Sequence, residues 1–168
     1  MTGIRRALIA LPLAALTLFF LALGWRNHHL PDDKRSVWLQ GACYAAHKAP
    51  STRVWVTHPH GTPAFSRAEA RAVEEALRRY YPKDTKTIVP LLRDPRVESP
   101  PGSSWIIIHQ PEVHSRFLAT IIFEIGMVKP KGTVARSGWR RLTFSRSPLA
   151  FWDTEWHFVD ERPWGYLL

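Results

Sequence analysis

The feature that most constrains this chain is an apolar run near its N-terminus. Residues 7–23 are almost entirely apolar, with two arginines just before them and with Trp25 and Arg26 close behind. A helix over this run would rise roughly 28 Å, about the thickness of the hydrocarbon core of a bilayer. The run therefore predicts a transmembrane helix, a signal anchor formed by residues 1–25, and makes the membrane the first expected partner, through residues 7–25.

A cleaved signal peptide is the alternative interpretation of the same segment. Ala22 and Gly24 would supply the small residues of a cleavage site. The run is longer than a typical signal core, and Trp25 with Arg26 suits a membrane interface, which favours a retained anchor. A short basic head before one apolar segment favours export of the domain beyond that segment. We therefore expect a single-pass membrane protein whose bulk is extracytoplasmic, either periplasmic or extracellular.

The rest of the chain has the length and charge of one basic domain. Residues 26–36 are polar and predict a juxtamembrane linker, and residues 37–168 suit a single domain. The chain carries a net charge of +9, which favours contact with anionic surfaces. An exported domain rarely meets nucleic acid, so no nucleic-acid partner is expected. Cys43 is the only cysteine and cannot form an internal disulfide.

One amphipathic helix is predicted after Ser66. Ser66 and Glu69 have the spacing of a capping box, in which each side chain bonds the backbone of the other residue. Apolar residues then recur at intervals of three and four as far as Tyr80, and Pro82, two residues later, ends the predicted helix. This pattern indicates a helix with one apolar face resting on a sheet.

Strand patterns account for most of the remaining domain. Residues 37–46 fit a helix or a strand equally well, whereas six other segments are rich in β-branched and aromatic residues and are separated by turn residues. The fold class that these patterns predict is α+β: an N-terminal transmembrane helix, then one main amphipathic helix packed on an antiparallel sheet of about four to six strands. The six segments are Arg53–Thr57, Thr85–Leu92, Trp105–His109, Arg116–Ile125, Val134–Phe144 and Phe151–Val159.

The last two segments predict a hairpin with a defined register. If they pair around a loop at residues 145–150, Arg140 lies opposite Glu155 and Trp139 lies opposite Trp156. Arg141 then stacks on tryptophan rings of the next strand. A shift of one residue would reverse every one of these orientations.

Four histidines are the candidate metal ligands. Zinc accepts nitrogen and carboxylate ligands, and any three of these imidazoles brought together would suit it. Their spacing matches no zinc signature, so the alternative is that they are ordinary loop and surface histidines. Zinc is the only cofactor that the sequence suggests. The four residues are His58, His60, His109 and His157.

No catalytic residue is predicted. Cys43 and His47 would be neighbours on a helix, but the sequence offers no acid to orient the imidazole. Asp153 and Glu155 share a strand face at a spacing that glycosidases use, yet ion pairing with arginines explains them more simply. An enzyme is therefore the less favoured class.

Basic and aromatic side chains instead predict a binding surface. The chain has eight tryptophans, and tryptophan and arginine both bind through flat faces. Arg140, Arg141 and Trp164 are the expected contact residues. The leading hypothesis is a non-catalytic binding module of the cell envelope whose partner is another envelope protein or an anionic surface. The alternatives are a metal-dependent hydrolase that uses the histidines and a structural subunit of an envelope complex.

Overall fold

The structure is a computed structural model that describes residues 2–30, 33–60, 62–91, 99–129, 131–149 and 153–165, with side chains from residue 12 onward. These residues form an α+β fold of three helices and a seven-stranded sheet. The helices are α1 (Thr2–His28), α2 (Lys34–Lys48) and α3 (Arg67–Tyr80). The strands are β1 (Arg53–Thr57), β2 (Thr87–Pro90), β3 (Ser104–Ile108), β4 (Glu112–Ser115), β5 (Leu118–Val128), β6 (Val134–Ser145) and β7 (His157–Pro163).

The sheet is mixed, which corrects the predicted antiparallel sheet. Its order is β2-β1-β3-β5-β6-β7, with β4 beside β5, and β1 runs parallel to both β2 and β3. The parallel pair arises because α3 lies between β1 and β2 in the chain, and a crossover helix returns the second strand in the same direction. The sheet of seven described strands is also larger than predicted, since the short β4 had no recognisable pattern.

A second helix, α2, packs beside α3 and corrects the expectation of one main helix. Its first turn is capped by Asp33, whose side chain accepts a hydrogen bond from the backbone of Ser36 at 3.0 Å. Gly41 brings the helix close to β5, because a Cβ there would lie 2.7 Å from Cγ2 of Ile121. Lys86 donates hydrogen bonds to three carbonyls at the helix end. The ambiguous stretch at residues 37–46 is therefore helical.

The amphipathic helix is confirmed as α3. Both halves of the capping box are present: the Ser66 hydroxyl accepts from the Glu69 backbone at 3.1 Å, and the Glu69 carboxylate accepts from the Ser66 backbone at 2.7 Å. Its buried side chains face the sheet together with those of α2. They are Ala70, Val73, Ala76 and Leu77.

The register predicted for the last hairpin is wrong. In β6 and β7, Arg140 lies opposite Pro163 rather than Glu155, and its side chain pairs with Glu161 at 3.6 Å. The reason is a longer connection, since β7 begins only at residue 157 and Trp156 leaves the ladder to enter the core. The first residues of the predicted strand, 151 and 152, lie outside the described part of the chain.

The predicted signal anchor is also wrong. Within the part of the chain that the structure describes, no helix has both the length and the apolar character needed to cross a membrane. The end of α1, expected at a membrane interface, contacts the protein itself: Arg26 is buried and donates to the carbonyls of Ser147 and Asp153. The single-pass, extracytoplasmic localisation rested on this anchor and is corrected with it. The division into segments 1–25, 26–36 and 37–168 stays a prediction.

Candidate binding face of the sheet

The two faces of the sheet differ in what they carry. Helices α2 and α3 pack on one face and form the main core with alternate residues of the strands. Side chains alternate along a strand, so the intervening residues point to the opposite face. We call this opposite face the arginine–tryptophan face, after the residues that the strand register places on it: Arg53, Trp55, Trp105, Arg136, Trp139, Arg141 and Arg162.

Tryptophans form the apolar floor of this face. Trp105 is fully buried and pairs with Trp55 across β1 and β3. On its other side Trp105 covers Gly126, where any Cβ would overlap the indole ring. Trp55 and Trp139 are half-buried beside Ile107, in a second, smaller core. The strands thus hold Trp55 and Trp139 with part of each ring accessible, above the buried Trp105.

Arginines surround the tryptophans. The Arg53 guanidinium lies 5.5 Å from the centre of the Trp55 ring, a cation–π contact. Arg136 and Arg141 are exposed, and neither forms an ion pair with any residue in the described ranges. Arg141 lies opposite Arg162, which itself bonds the Asp160 carboxylate. Like charges directly opposite on neighbouring strands repel each other, and the Asp160 carboxylate offsets part of this repulsion.

His109 adjoins the face at the end of β3. Its ring meets the Trp139 ring edge-on at 5.0 Å, and its backbone N–H bonds the Ile122 carbonyl of β5. Burial lowers the pKa of His109, although the Glu112 carboxylate acts in the opposite direction; nearby His58 adds to the lowering. His109 is therefore uncharged at neutral pH and contributes a flat polar ring rather than a cation.

The predicted metal ligands are not assembled into a site. His58 is buried, with Nδ1 3.1 Å from the Ile108 carbonyl and Nε2 3.4 Å from the Glu69 carboxylate. His60 is exposed, and His157 pairs with Asp153 at 2.6 Å near the start of β7. Across the described ranges, no three or more histidines, cysteines or acids come together in a geometry that could hold a metal ion.

The predicted binding residues separate onto different surfaces. Arg140 and Arg141 are neighbours in β6 and so point to opposite faces: Arg140 faces the helices and Glu161, whereas Arg141 faces away from them. Trp164 is 41% exposed, and its backbone N–H bonds the Trp139 carbonyl at 2.8 Å. Of the three residues, Arg141 belongs to the arginine–tryptophan face and Trp164 lies beside it.

Sequence reasoning missed three of the arginines on this face. Arg53, Arg136 and Arg162 lie on three different strands, far apart in the chain. The alternation of side chains along a strand could have assigned each arginine to one face of its own strand. Only the pairing of β1, β3, β5, β6 and β7 in one sheet brings them together.

The cysteine and histidine of α2 do not form a nucleophilic pair. The structure supplies the acid that the sequence lacked, since Asp84 contacts Nδ1 of His47 at 2.8 Å. However, burial, aided by the charge of Asp84, raises the pKa of Cys43 to about 12. The thiol is therefore protonated at neutral pH, and the thiolate that nucleophilic catalysis needs is not formed.

The two acids of the predicted glycosidase pair have local structural contacts. The Asp153 carboxylate accepts a hydrogen bond from the Glu155 backbone at 3.1 Å, and this bond, with a smaller contribution from His157, lowers the pKa of Asp153. Both residues precede β7 rather than sharing a strand face.

Comparison with family models, with curated protein sequences and with solved structures gives no significant match for this chain.

Proposed function

We propose that this protein is a non-catalytic binding module whose arginine–tryptophan face binds an acidic segment of a partner protein. The observation that carries the proposal is the pair Arg141 and Arg162, which lie opposite each other beside a tryptophan floor. Asp160 already binds Arg162, and a carboxylate of the partner would bind the unpaired guanidinium of Arg141 in the same way.

The chemistry of the face favours a protein partner. Guanidinium groups bind carboxylates through two parallel hydrogen bonds, which gives both strength and orientation. Tryptophan and arginine are enriched at protein interfaces, where rings supply apolar contact beside charged groups. Trp55 and Trp139 can contact the aliphatic carbons of glutamate side chains while Arg141 and Arg136 bind their carboxylates. The net charge of +9 adds long-range attraction for an acidic partner.

The test is the binding of a fluorescent glutamate-rich peptide, measured by anisotropy. We expect Arg141→Gln to weaken binding about tenfold, the effect of losing one charge-assisted hydrogen bond. Arg71→Gln is the matched control because it removes the same charge from an exposed position on α3, which packs on the opposite side of the sheet. Raising the salt concentration should weaken binding to the unmodified protein more than to Arg141→Gln.

Two results would overturn the proposal. Equal losses from Arg141→Gln and Arg71→Gln would show that only net charge matters. Tighter binding of a single-stranded oligonucleotide than of the peptide, with the same dependence on Arg141, would identify a nucleic acid as the partner instead.

A further inference from the structure

Three side chains of β6 form one row on the arginine–tryptophan face. Arg136, Trp139 and Arg141 lie opposite alternate residues of β5, which are Gly126, Glu124 and Ile122 in that order. Alternate residues of a strand point to one face and repeat about every 6.6 Å. The Cα atoms of the two arginines therefore lie roughly 13 Å apart, with that of the tryptophan midway between them.

A β-bulge brings Arg136 into this row. From Trp139 to Arg136, β6 advances three residues while β5 advances only two, so β6 contains one extra residue there. Gly138 lies within this step and has a φ of +72°, a left-handed conformation that glycine adopts without strain. In a regular strand, Arg136 would share a face with Arg140 and point toward the helices. The bulge turns it instead to the side of Arg141.

The position of Gly126 confirms the direction of this turn. A Cβ at Gly126 would overlap the Trp105 ring, so this part of β5 faces the tryptophan floor. Arg136 lies directly opposite Gly126 and so belongs to the same side of the sheet. Bulges often redirect a side chain at a functional site.

The row presents a cation, a ring and a second cation. Arg136 and Arg141 are exposed, and neither is ion-paired with a residue that the structure describes. Trp139 is half-buried in the smaller core, so part of its surface is accessible to an apolar side chain. The middle of the row offers no cation, because its neighbour on β5 is the buried acid Glu124.

We propose that this row binds an extended segment with the pattern acid-x-apolar-x-acid, where x is any residue. The segment is the acidic partner segment of the proposed function, on which this inference rests. In an extended chain, residues i, i+2 and i+4 point to one side and span roughly 13 Å, the length of the row. Each outer carboxylate meets one guanidinium, and the apolar side chain between them lies against Trp139.

A helical segment fits the row less well. On a helix, the matching positions are i, i+4 and i+8, which span about 12 Å but turn by about 40° at each step. The two acids would then point about 80° apart. Both arginines project from the same face of one strand, so the geometry favours an extended segment.

The test uses two competitor peptides of identical composition against the fluorescent glutamate-rich peptide. Both are capped serine heptapeptides with a central leucine. The first has glutamates two residues to either side of the leucine, and the second has them next to it. We expect the first to compete at least about tenfold more strongly, because only its spacing lets both carboxylates reach arginines while the leucine lies at Trp139.

Two variants locate the preference on the row. Arg136→Gln and Arg141→Gln should each abolish most of the difference between the heptapeptides, because each leaves a single arginine in the row. Arg71→Gln on α3 should retain the full difference. A longer peptide with glutamates four residues to either side of the leucine, the helical spacing, should compete less well than the first heptapeptide.

The outcomes separate this inference from the proposed function. Equal competition by the two heptapeptides, or an undiminished preference in Arg136→Gln, would overturn the spacing while binding of the glutamate-rich peptide through Arg141 still stood. Stronger competition by the longer peptide would overturn the extended conformation. Failure of the glutamate-rich peptide itself to bind the unmodified protein would overturn both proposals.

Discussion

At the scale of single residues, two glycines set how closely the layers approach. Gly41 lets α2 lie against Ile121, and Gly126 makes room for the Trp105 ring. Neither requirement can be read from the sequence, because each depends on a partner that is distant in the chain. The caps are different: Ser66 and Glu69 interact within one turn, so their spacing alone predicts the start of α3.

Gly126→Ala should destabilise the protein. The added methyl overlaps the Trp105 ring, and overpacking of a rigid core costs about 1–3 kcal/mol. The measurement is the free energy of unfolding in urea. Gly24→Ala is the control, because a Cβ at Gly24 in α1 meets no atom within 4 Å. Equal stability of Gly126→Ala and the unmodified protein would refute the close approach of Trp105.

The capping box should make stability depend on acid pH. Burial alone would raise the pKa of Glu69, but hydrogen bonds from the Ser66 backbone, the Ser66 hydroxyl and His58 outweigh it and lower the pKa below 4.5. A carboxyl whose pKa is lowered by folding stabilises the protein above its unfolded pKa, and this contribution is lost as pH falls through the folded value.

Ser66→Ala measures this contribution. It should cost about 1 kcal/mol at pH 7, the usual effect of losing an N-cap. At a pH acid enough to protonate Glu69, the difference between the variant and the unmodified protein should shrink. Urea unfolding at both pH values gives the comparison, and a cost that does not change with pH would contradict the role of the carboxylate.

At the scale of elements, local patterns were reliable and distant pairings were not. The sequence predicts α3 from its period and cap, and it predicts β1 at Arg53–Thr57 because turn residues follow a short β-branched and aromatic segment. It does not predict the parallel pairing of β1 with β3, which no local pattern encodes. The register of β6 and β7 failed because Trp156, which fits a strand pattern, is buried in the core instead.

A double-mutant cycle tests the observed register of that hairpin. Arg140 and Glu161 should show a coupling energy of about 0.2–1 kcal/mol, since both are partly exposed. Arg140 and Glu155, the pair that the sequence predicts, should show none. The cycle uses alanine variants and urea unfolding; coupling to Glu155 rather than Glu161 would restore the predicted register.

At the scale of the whole molecule, the helices cover one side of the sheet, and four arginines lie on the other: Arg53, Arg136, Arg141 and Arg162. The sequence identified Arg141 and the excess of positive charge, but not the face as a unit, because its arginines come from three strands. The sequence also could not show where the histidines lie, because composition does not reveal that His58 contacts the Ile108 carbonyl while His157 pairs with Asp153.

The like-charged pair predicts a conflict between stability and binding. Arg141→Gln removes repulsion from Arg162 and should stabilise the free protein by about 0.2–1 kcal/mol, although it weakens binding of the acidic peptide. Arg140→Gln is the neighbouring control and should be destabilising, because it breaks the contact with Glu161. The measurement is the free energy of unfolding of both variants in urea. If Arg141→Gln is less stable than the unmodified protein, the arginine stabilises the fold itself, which would contradict the prediction.

Reversal of charge tests the binding face most directly. The double variant Arg141→Glu with Arg162→Glu should lose affinity for the glutamate-rich peptide and gain affinity for a lysine-rich peptide of the same length. The corresponding double variant on α3, Arg71→Glu with Arg78→Glu, makes the same change in net charge and should keep its preference for the acidic peptide. Undiminished binding of the acidic peptide after reversal at positions 141 and 162, or an equal loss after reversal on α3, would contradict the account.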